Sequence, residues 1–480
     1  MDFNWQEILS WLLGINSLVL IVFIILQRKK TEKTIAWILI LLFLPLLGLI
    51  LYMFLGVNWK REKNKLIEQF SPYVRKPLCR AVNELKNYQY HGLIELLARN
   101  SDAPLFVGNQ IKVFNCGQEK FAALKEEMLK AQHHIHLEYY IVESDNIGNE
   151  IKDILIQKAK EGVKVRFIMD KVGSIRVKKS YFKELRDAGV DVIQYSYFLA
   201  PLFKFINTHI NFRNHRKIAV IDGMVGFVGG MNIGDDYLGK GRLGHWRDTH
   251  LMIKGDFVRG LQAIFLDDFW TIKKANGESF FYVEDFRKYF PELEKNCSKV
   301  LQLVKSGPGA EYPAIMHGML KMISMAKDHI YITTPYFVPT ESIQDALKVA
   351  AMSGVDVRIL FPGRYDHAIV HYASKTYLAE LLKCGAKVYF YRKDAFVHSK
   401  VLTVDGQIST VGTANMDIRS YQLNYEVNAI IYDREITGEL EQQFHKDLKE
   451  STLLTLDEYE KTPRITKWLE AVARVFSYFL

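Results

Sequence analysis

Two short stretches of the chain carry the same reactive residue types at the same spacing: "NHRKIAVIDG" (214–223) and "VHSKVLTVDG" (397–406). In each, a lysine stands two residues after a histidine, and an aspartate stands five beyond that. Laid over one another without gaps, 215–232 and 398–415 agree at seven of eighteen positions with an offset of 183, through Gly229 and Asn232 in one copy and Gly412 and Asn415 in the other. Residues i and i+2 of a strand share a face, so His215 with Lys217, and His398 with Lys400, point together. One such pair is an ordinary solvated strand face. Two copies, each trailed by an asparagine at the same distance, read as a site.

Two imidazoles, two ammonium groups and two amides suit a phosphoryl group, whose equatorial oxygens gain charge in the transition state. A histidine nitrogen can attack phosphorus and split one hard displacement into two easier ones. A second histidine on the far side can protonate the departing oxygen and later deprotonate the incoming hydroxyl. Each ring needs an acceptor on its other nitrogen to fix the tautomer. The candidates are Glu426 in "RSYQLNYEVNA" and Asp248 in "HWRDTHLMI", each following its own motif on an adjacent predicted strand. Asp222 and Asp405 fall at the turn, in opposite parity to the histidines, and are expected to fix that turn and its neighbouring backbone. The lysines supply positive charge, so neither metal nor cofactor is expected. The cluster His133, His134, His136 reads as ordinary strand, and Cys79, Cys116, Cys297 and Cys384 are too scattered for a zinc site or a disulfide framework.

The elements that must hold these residues are themselves duplicated. Upstream of the motifs, "KAQHHIHLEYYIV" (130–142) resembles "MAKDHIYITTPYFV" (325–338), "EGVKVRFIMD" (161–170) resembles "SGVDVRILFP" (353–362), and "LRDAGVDVIQY" (185–195) resembles "LLKCGAKVYFY" (381–391). Each copy alternates β-rich runs with helical periodicity, which predicts two tandem α/β units, 100–294 and 295–480, with largely parallel pairing and a pseudo-two-fold relation. An Asp-Gly after each motif strand predicts a tight reversal into the next strand. Only the first copy carries the apolar insert "SYFLAPLFKFINTHINFR" (196–213), either a lipid-dipping loop or a lid. In "TKWLEAVARVFSYFL", Trp468, Leu469, Val472, Val475, Phe476, Phe479 and Leu480 share a helical face that reads as core packing.

The chain has 480 residues and a formal net charge of +9, which favours an anionic partner, either nucleic acid or an acidic membrane. Basic residues such as Arg176, Lys178, Lys179 and Lys183 would either attract acidic headgroups or form a solvated helix face. Two apolar runs open the chain, Ile8 to Leu26 and Ile35 to Leu55, each long enough for the roughly 20 residues a bilayer span needs. With "QRKKTEK" between them they predict a membrane hairpin over 1–58, followed by a connector over 59–99. Lysine and arginine flank both the turn and the exit, so the orientation stays open.

The duplicated residues resemble the HxKxxxxD signature of the phospholipase D superfamily: His215, Lys217, Asp222, Gly229 and Asn232, then His398, Lys400, Asp405, Gly412 and Asn415. With "TPYFVP" (334–339) and the N-terminal hairpin, the whole chain is similar to bacterial cardiolipin synthases. The resemblance implies a membrane-bound phosphatidyltransferase with phosphatidylglycerol and acidic membrane lipid, not nucleic acid, as its partners. One phosphatidylglycerol would give its phosphatidyl group to a histidine and release glycerol; a second would take it up. A hydrolytic phospholipase D, or another phosphatidyltransferase of the superfamily, would use the same residues. It further implies His215 as nucleophile and His398 as general acid/base, with Lys217, Lys400, Asp222 and Asp405 completing the catalytic motifs. Asn232, Asn415, Asp248 and Glu426 are expected to bind phosphate or orient the histidines. Gly230 stands where a hydroxyl residue often follows the motif glycine, while the second copy has Thr413. The oligomeric state is not read from the sequence.

Overall fold

The fold is taken from a computed structural model that describes residues 5–26, 31–52, 89–195, 212–276, 286–293 and 297–477. The chain divides into two compact units, one of 1–61 with 196–212 and one of 62–195 with 213–480. The insert at 196–211 lies outside the described residues, as do Cys79 and the connector up to residue 88.

In the smaller unit, helix Trp5–Leu26 is followed by Thr31–Phe43 and Pro45–Leu51. Proline lacks an amide hydrogen and restrains the residue before it, so Pro45 starts a new helix after Leu44 instead of continuing the old one. Ile24, Leu41 and Tyr52 are buried together, with Trp37 edge-on to Tyr52 at 5.1 Å. Around that contact the described side chains are apolar and exposed, among them Leu18, Val19, Val22, Phe23, Leu42 and Phe43. The described side chains of the first helix run without a break only from 14 to 26. Among the described residues no helix is long and apolar enough to cross a membrane.

The larger unit is built on one 15-stranded sheet and two small strand pairs. Its first half contributes β1 (Leu105–Phe114), β2 (His134–Tyr139), β3 (Lys164–Asp170), β4 (Asp191–Tyr195), β5 (Lys217–Ile221), β6 (Val225–Gly229), β7 (His245–Arg247) and β8 (His250–Lys254). The second contributes β9 (Lys299–Ser306), β10 (His329–Thr333), β11 (Phe337–Val338), β12 (Asp356–Phe361), β13 (Lys387–Tyr391), β14 (Ala395–Val397), β15 (Val401–Val404), β16 (Ile408–Gly412), β17 (Met416–Asp417), β18 (Glu426–Ile431) and β19 (Ser451–Leu454). The order outward from the centre is β1-β8-β6-β5-β2-β3-β4 on one side and β9-β18-β16-β15-β10-β12-β13-β19 on the other. The halves therefore repeat one another, with β19 added, and the equivalent strands β1 and β9 pair antiparallel at the middle.

The pairing corrects one expectation. Only β2-β3-β4 and β10-β12-β13 are parallel; every other neighbour in the large sheet is antiparallel. The reason is local. Asp222 and Gly223 take φ of 52° and 68°, and Asp405 and Gly406 take 54° and 63°. Positive φ at both central residues makes the tight hairpin turn that Asp-Gly favours, closed by Met224 N–H to the Ile221 carbonyl and Gln407 N–H to Val404. Each motif strand thus pairs antiparallel with its successor as well as with β2 or β10.

Strands β18 and β6 stand four places apart in the sheet, which laid flat would separate them by about 19 Å. They nevertheless touch, as do β16 and β6, so the sheet curls over at its centre. The curl closes around one apolar cluster drawn from both halves, including Phe106, Ile218, Val228, Leu251, Leu303, Val411, Val427 and Ile431. This brings the two motif strands to a common side.

Candidate active site

His215 and His398 stand two residues before the face-sharing lysines, Lys217 at the start of β5 and Lys400 just before β15. Each backbone N–H is pinned by the other repeat: His215 N–H donates to the Tyr425 carbonyl at 3.0 Å, and His398 N–H donates to the Arg247 carbonyl at 2.8 Å. The residue after each of those carbonyls then supplies the carboxylate for the ring. Glu426 accepts from His215 Nδ1 at 2.9 Å, and Asp248 accepts from His398 Nδ1 at 2.7 Å. The sequence offered both carboxylates as candidates and left open which serves which ring. The structure crosses them, because β14 pairs with β7 and Asn214 bridges to Tyr425 across the junction. Neither half is complete alone.

A carboxylate on Nδ1 fixes the tautomer with hydrogen there and leaves the Nε2 lone pair for chemistry. Burial drives both imidazoles down to about 4, against the pull of their carboxylates, so both are neutral at pH 7. Burial would raise Glu426, but the adjacent His215, its hydrogen bond, Lys217 and the Thr413 hydroxyl together hold it below the usual carboxylate value. Lys217 Nζ donates to the His215 carbonyl at 2.7 Å, and Lys400 Nζ donates to that of His398. Burial lowers Lys217 to about 7 and Lys400 to about 8. The charge of Lys400 acts on His215 and that of Lys217 on His398. The two clusters thus share one electrostatic field.

Gly230 and Thr413 compensate for the unequal carboxylates. The Thr413 hydroxyl donates to Glu426. At Gly230 a Cβ would stand 2.1 Å from Asp248 Oδ1, so only glycine leaves room for the shorter side chain to reach His398. Asn232 accepts from Ile141 N–H at 3.1 Å and donates to the Tyr237 hydroxyl at 3.0 Å, itself 3.4 Å from His398 Nδ1. Asn415 keeps its backbone on Ser420, while its buried Oδ1 has no partner among the described residues. Asp222 and Asp405 stand apart from this group, at the far ends of the motif strands, about 23 Å of extended chain from their histidines. Asp222 accepts from the N–H groups of Gln132, His133 and His134, and Asp405 from those of Lys327, Asp328 and His329. His134 and His136 are buried in β2 and bonded to Gln262, as ordinary strand residues are.

Sequence reasoning missed the aromatic walls. Tyr140 lies edge-on to His215 at 4.8 Å, with Lys217 Nζ 5.3 Å from its centroid, and Trp246 lies 5.1 Å from His398. One signal was available: a tyrosine stands at the same place in both upstream copies, as Tyr140 and Tyr336.

Residues 124–265 and 319–448 match the family described as "Cardiolipin synthase, PLD-like domain", and 17–56 match "Phospholipase_D-nuclease N-terminal". A cardiolipin synthase from Geobacillus sp. is 43% identical over 97% of this chain and 92% of its own length. The major cardiolipin synthase ClsA of Bacillus subtilis is 40% identical over 98% and 99%. The crystal structure of a phosphatidylserine synthase from Haemophilus influenzae covers 81% of this chain and all of its own, with a TM-score of 0.61 at 15% identity, a likeness of fold. Two matched repeats, crossed histidine–carboxylate pairs and relatives alike over nearly the full length place this chain in the cardiolipin synthase family of phospholipase D-like proteins.

Proposed function

We propose that this protein is a phosphatidyltransferase that makes cardiolipin from two molecules of phosphatidylglycerol. The observation that carries the reading is the crossed pair of buried imidazole–carboxylate couples with both lysines beneath them. In the first step His215 Nε2 bonds to phosphorus as the bond from phosphorus to the glycerol oxygen breaks, and His398 gives that oxygen its proton. In the second step His398 takes the proton from the terminal hydroxyl of another phosphatidylglycerol. Its oxygen bonds to phosphorus and the P–N bond breaks. One phosphodiester replaces another, so no activated donor enters.

His398 must be protonated to act first as an acid, yet it sits at about 4 when the site is empty. The substrate supplies the difference. A phosphodiester anion ~4 Å away at an effective dielectric of ~20 favours the imidazolium by about 4 kcal/mol, lifting a group from about 4 to about 7. Lys217 and Lys400 gain in the same way and stabilise the charge on the equatorial oxygens. Asn232 and Asn415 are assigned to phosphate and histidine orientation, and Asp222 and Asp405 to holding the loops that enter β2 and β10.

We assign 1–58 to a two-helix membrane hairpin, 59–99 to a connector, and 100–294 and 295–480 to the two phospholipase D-like repeats, at the cell membrane. The exposed apolar side chains of the N-terminal helices support that reading. Single cysteines at residues 29 and 58, probed with a membrane-impermeant thiol reagent in sealed vesicles, test it: both spans predict opposite accessibility. Purified protein given phosphatidylglycerol alone tests the reaction. Cardiolipin with equimolar glycerol is expected, whereas phosphatidic acid would mean that water is the acceptor.

A further inference from the structure

The last helix, Arg464–Val475, is mounted with its polarity reversed, which overturns the core-packing expectation for Trp468, Leu469, Val472, Val475 and Phe476; Phe479 and Leu480 lie outside the described residues. Trp468 is 61% exposed, Val475 78% and Phe476 51%, and Ile465, Leu469 and Val472 lie exposed beside them. At 100° per residue these six form one face. The opposite face is the buried one, and it is polar. Glu470 is ion-paired with Lys375 at 3.0 Å and accepts from the Tyr459 hydroxyl at 3.1 Å, Arg474 pairs with Glu380, and Ser477 is buried. A charged residue turned inward while a tryptophan and a phenylalanine face out is the reverse of what folding alone selects.

Two further observations point to what covers the stripe. Cations stand at its N-terminal end, with Lys461 and Arg464 exposed and Lys467 partly so, among the exposed carboxylates of Asp457, Glu458 and Glu460. Its place in the fold is the second. Ala473, on the buried face, packs into a cluster with Val338, Ala373 and Ile418. Val338 belongs to β11, which pairs with β17, and β17 begins at the residue after Asn415. Ala373 lies on the helix Ala368–Lys383, which packs on both β11 and the last helix, so the last helix is a layer out from the strand pair that follows Asn415.

We propose that this helix is a lipid foot: its apolar face lies in the interfacial region of an anionic bilayer, on the half of the catalytic unit that carries Asn415, and the cations at its N-terminal end engage acidic headgroups. It draws the catalytic unit onto the surface where both substrates lie. The inference rests on the reading of those substrates as membrane phosphatidylglycerol.

The test uses the full chain reconstituted in nanodiscs of phosphatidylglycerol and phosphatidylcholine. In the variant Trp468→Glu with Val475→Glu, cardiolipin formation from bilayer phosphatidylglycerol is expected to fall about tenfold or more. Turnover of monomeric dihexanoyl-phosphatidylglycerol should stay within about twofold. Equal losses on both substrates, or none on either, overturn the proposal. A wild-type enzyme that makes cardiolipin from neither substrate would defeat the functional reading instead, and a second measurement judges the foot independently. A benzophenone amino acid at position 475, irradiated in the nanodisc, should yield lipid adducts. Cross-links to a second copy or to residues 1–61 of the same chain, or no lipid adduct, overturn the proposal.

Discussion

Exchanging Glu426 for glutamine removes one charge and almost no volume, from a carboxylate that is wholly buried. It accepts from His215 Nδ1 at 2.9 Å and from Asn424 at 3.2 Å, and it also holds the Thr413 hydroxyl. When His215 Nε2 attacks phosphorus, the ring becomes cationic. At ~4 Å and an effective dielectric of ~20, the lost attraction is about 4 kcal/mol, or about a thousandfold in rate. The amide oxygen still accepts from Nδ1–H and recovers part of that, so a loss of about 10²- to 10³-fold is expected. Folding should survive, because replacing a buried ion by a neutral isostere removes its desolvation penalty. Asp248→Asn makes the equivalent change at His398. A phosphatidyl ester of p-nitrophenol separates the two, since that leaving group departs without a proton. Glu426→Gln should slow the p-nitrophenol burst as much as it slows cardiolipin synthesis. Asp248→Asn should leave the burst within about threefold while synthesis falls about a hundredfold or more. The reverse pattern would exchange the roles of the histidines. A Glu426→Gln enzyme within threefold of wild type on both substrates would refute the electrostatic reasoning.

Four other outcomes follow from particular contacts and burials. Gly230→Ala puts a Cβ 2.1 Å from Asp248 Oδ1, so the carboxylate must leave His398; synthesis should fall about a hundredfold, and the melting temperature should fall too because a fully buried carboxylate loses its partner. Asp222→Asn keeps the turn's positive φ but weakens three N–H contacts; denaturant melts should show a loss of about 1–3 kcal/mol, while activity of the folded enzyme stays within about threefold. Lys217 is lowered by burial to about 7, so kcat/KM should decline as pH rises through that value, and Lys217→Arg should move the decline upward. Stability runs the other way. His215 and His398 sit at about 4 when folded, against 6.5 when free, so between those values the unfolded chain binds more protons. Stability is then lost as pH falls from 6.5 toward 4, by about 3 kcal/mol per histidine, readable from melts in that window.

What the sequence determined by itself was local and periodic. The spacing of His, Lys, Asp and Asn, repeated at an offset of 183, identified the reactive groups. Asp-Gly after each motif strand specified its own turn, because few other pairs tolerate two consecutive positive φ values. The carboxylates Glu426 and Asp248 were legible as candidates because a neutral, oriented imidazole needs an acceptor. Only the tertiary structure decided which carboxylate serves which ring. That choice depends on how the two halves of the sheet meet at β1 and β9 and curl until β6 touches β16, a long-range arrangement with no trace in local spacing. The same holds for the parallel and antiparallel balance of the sheet, and for the last helix. Its apolar stripe was plain in the sequence, yet which face turns inward was settled by Glu470 finding Lys375 and Tyr459 across the chain. Periodicity reveals that a helix has two faces; the partner it meets decides which one is buried.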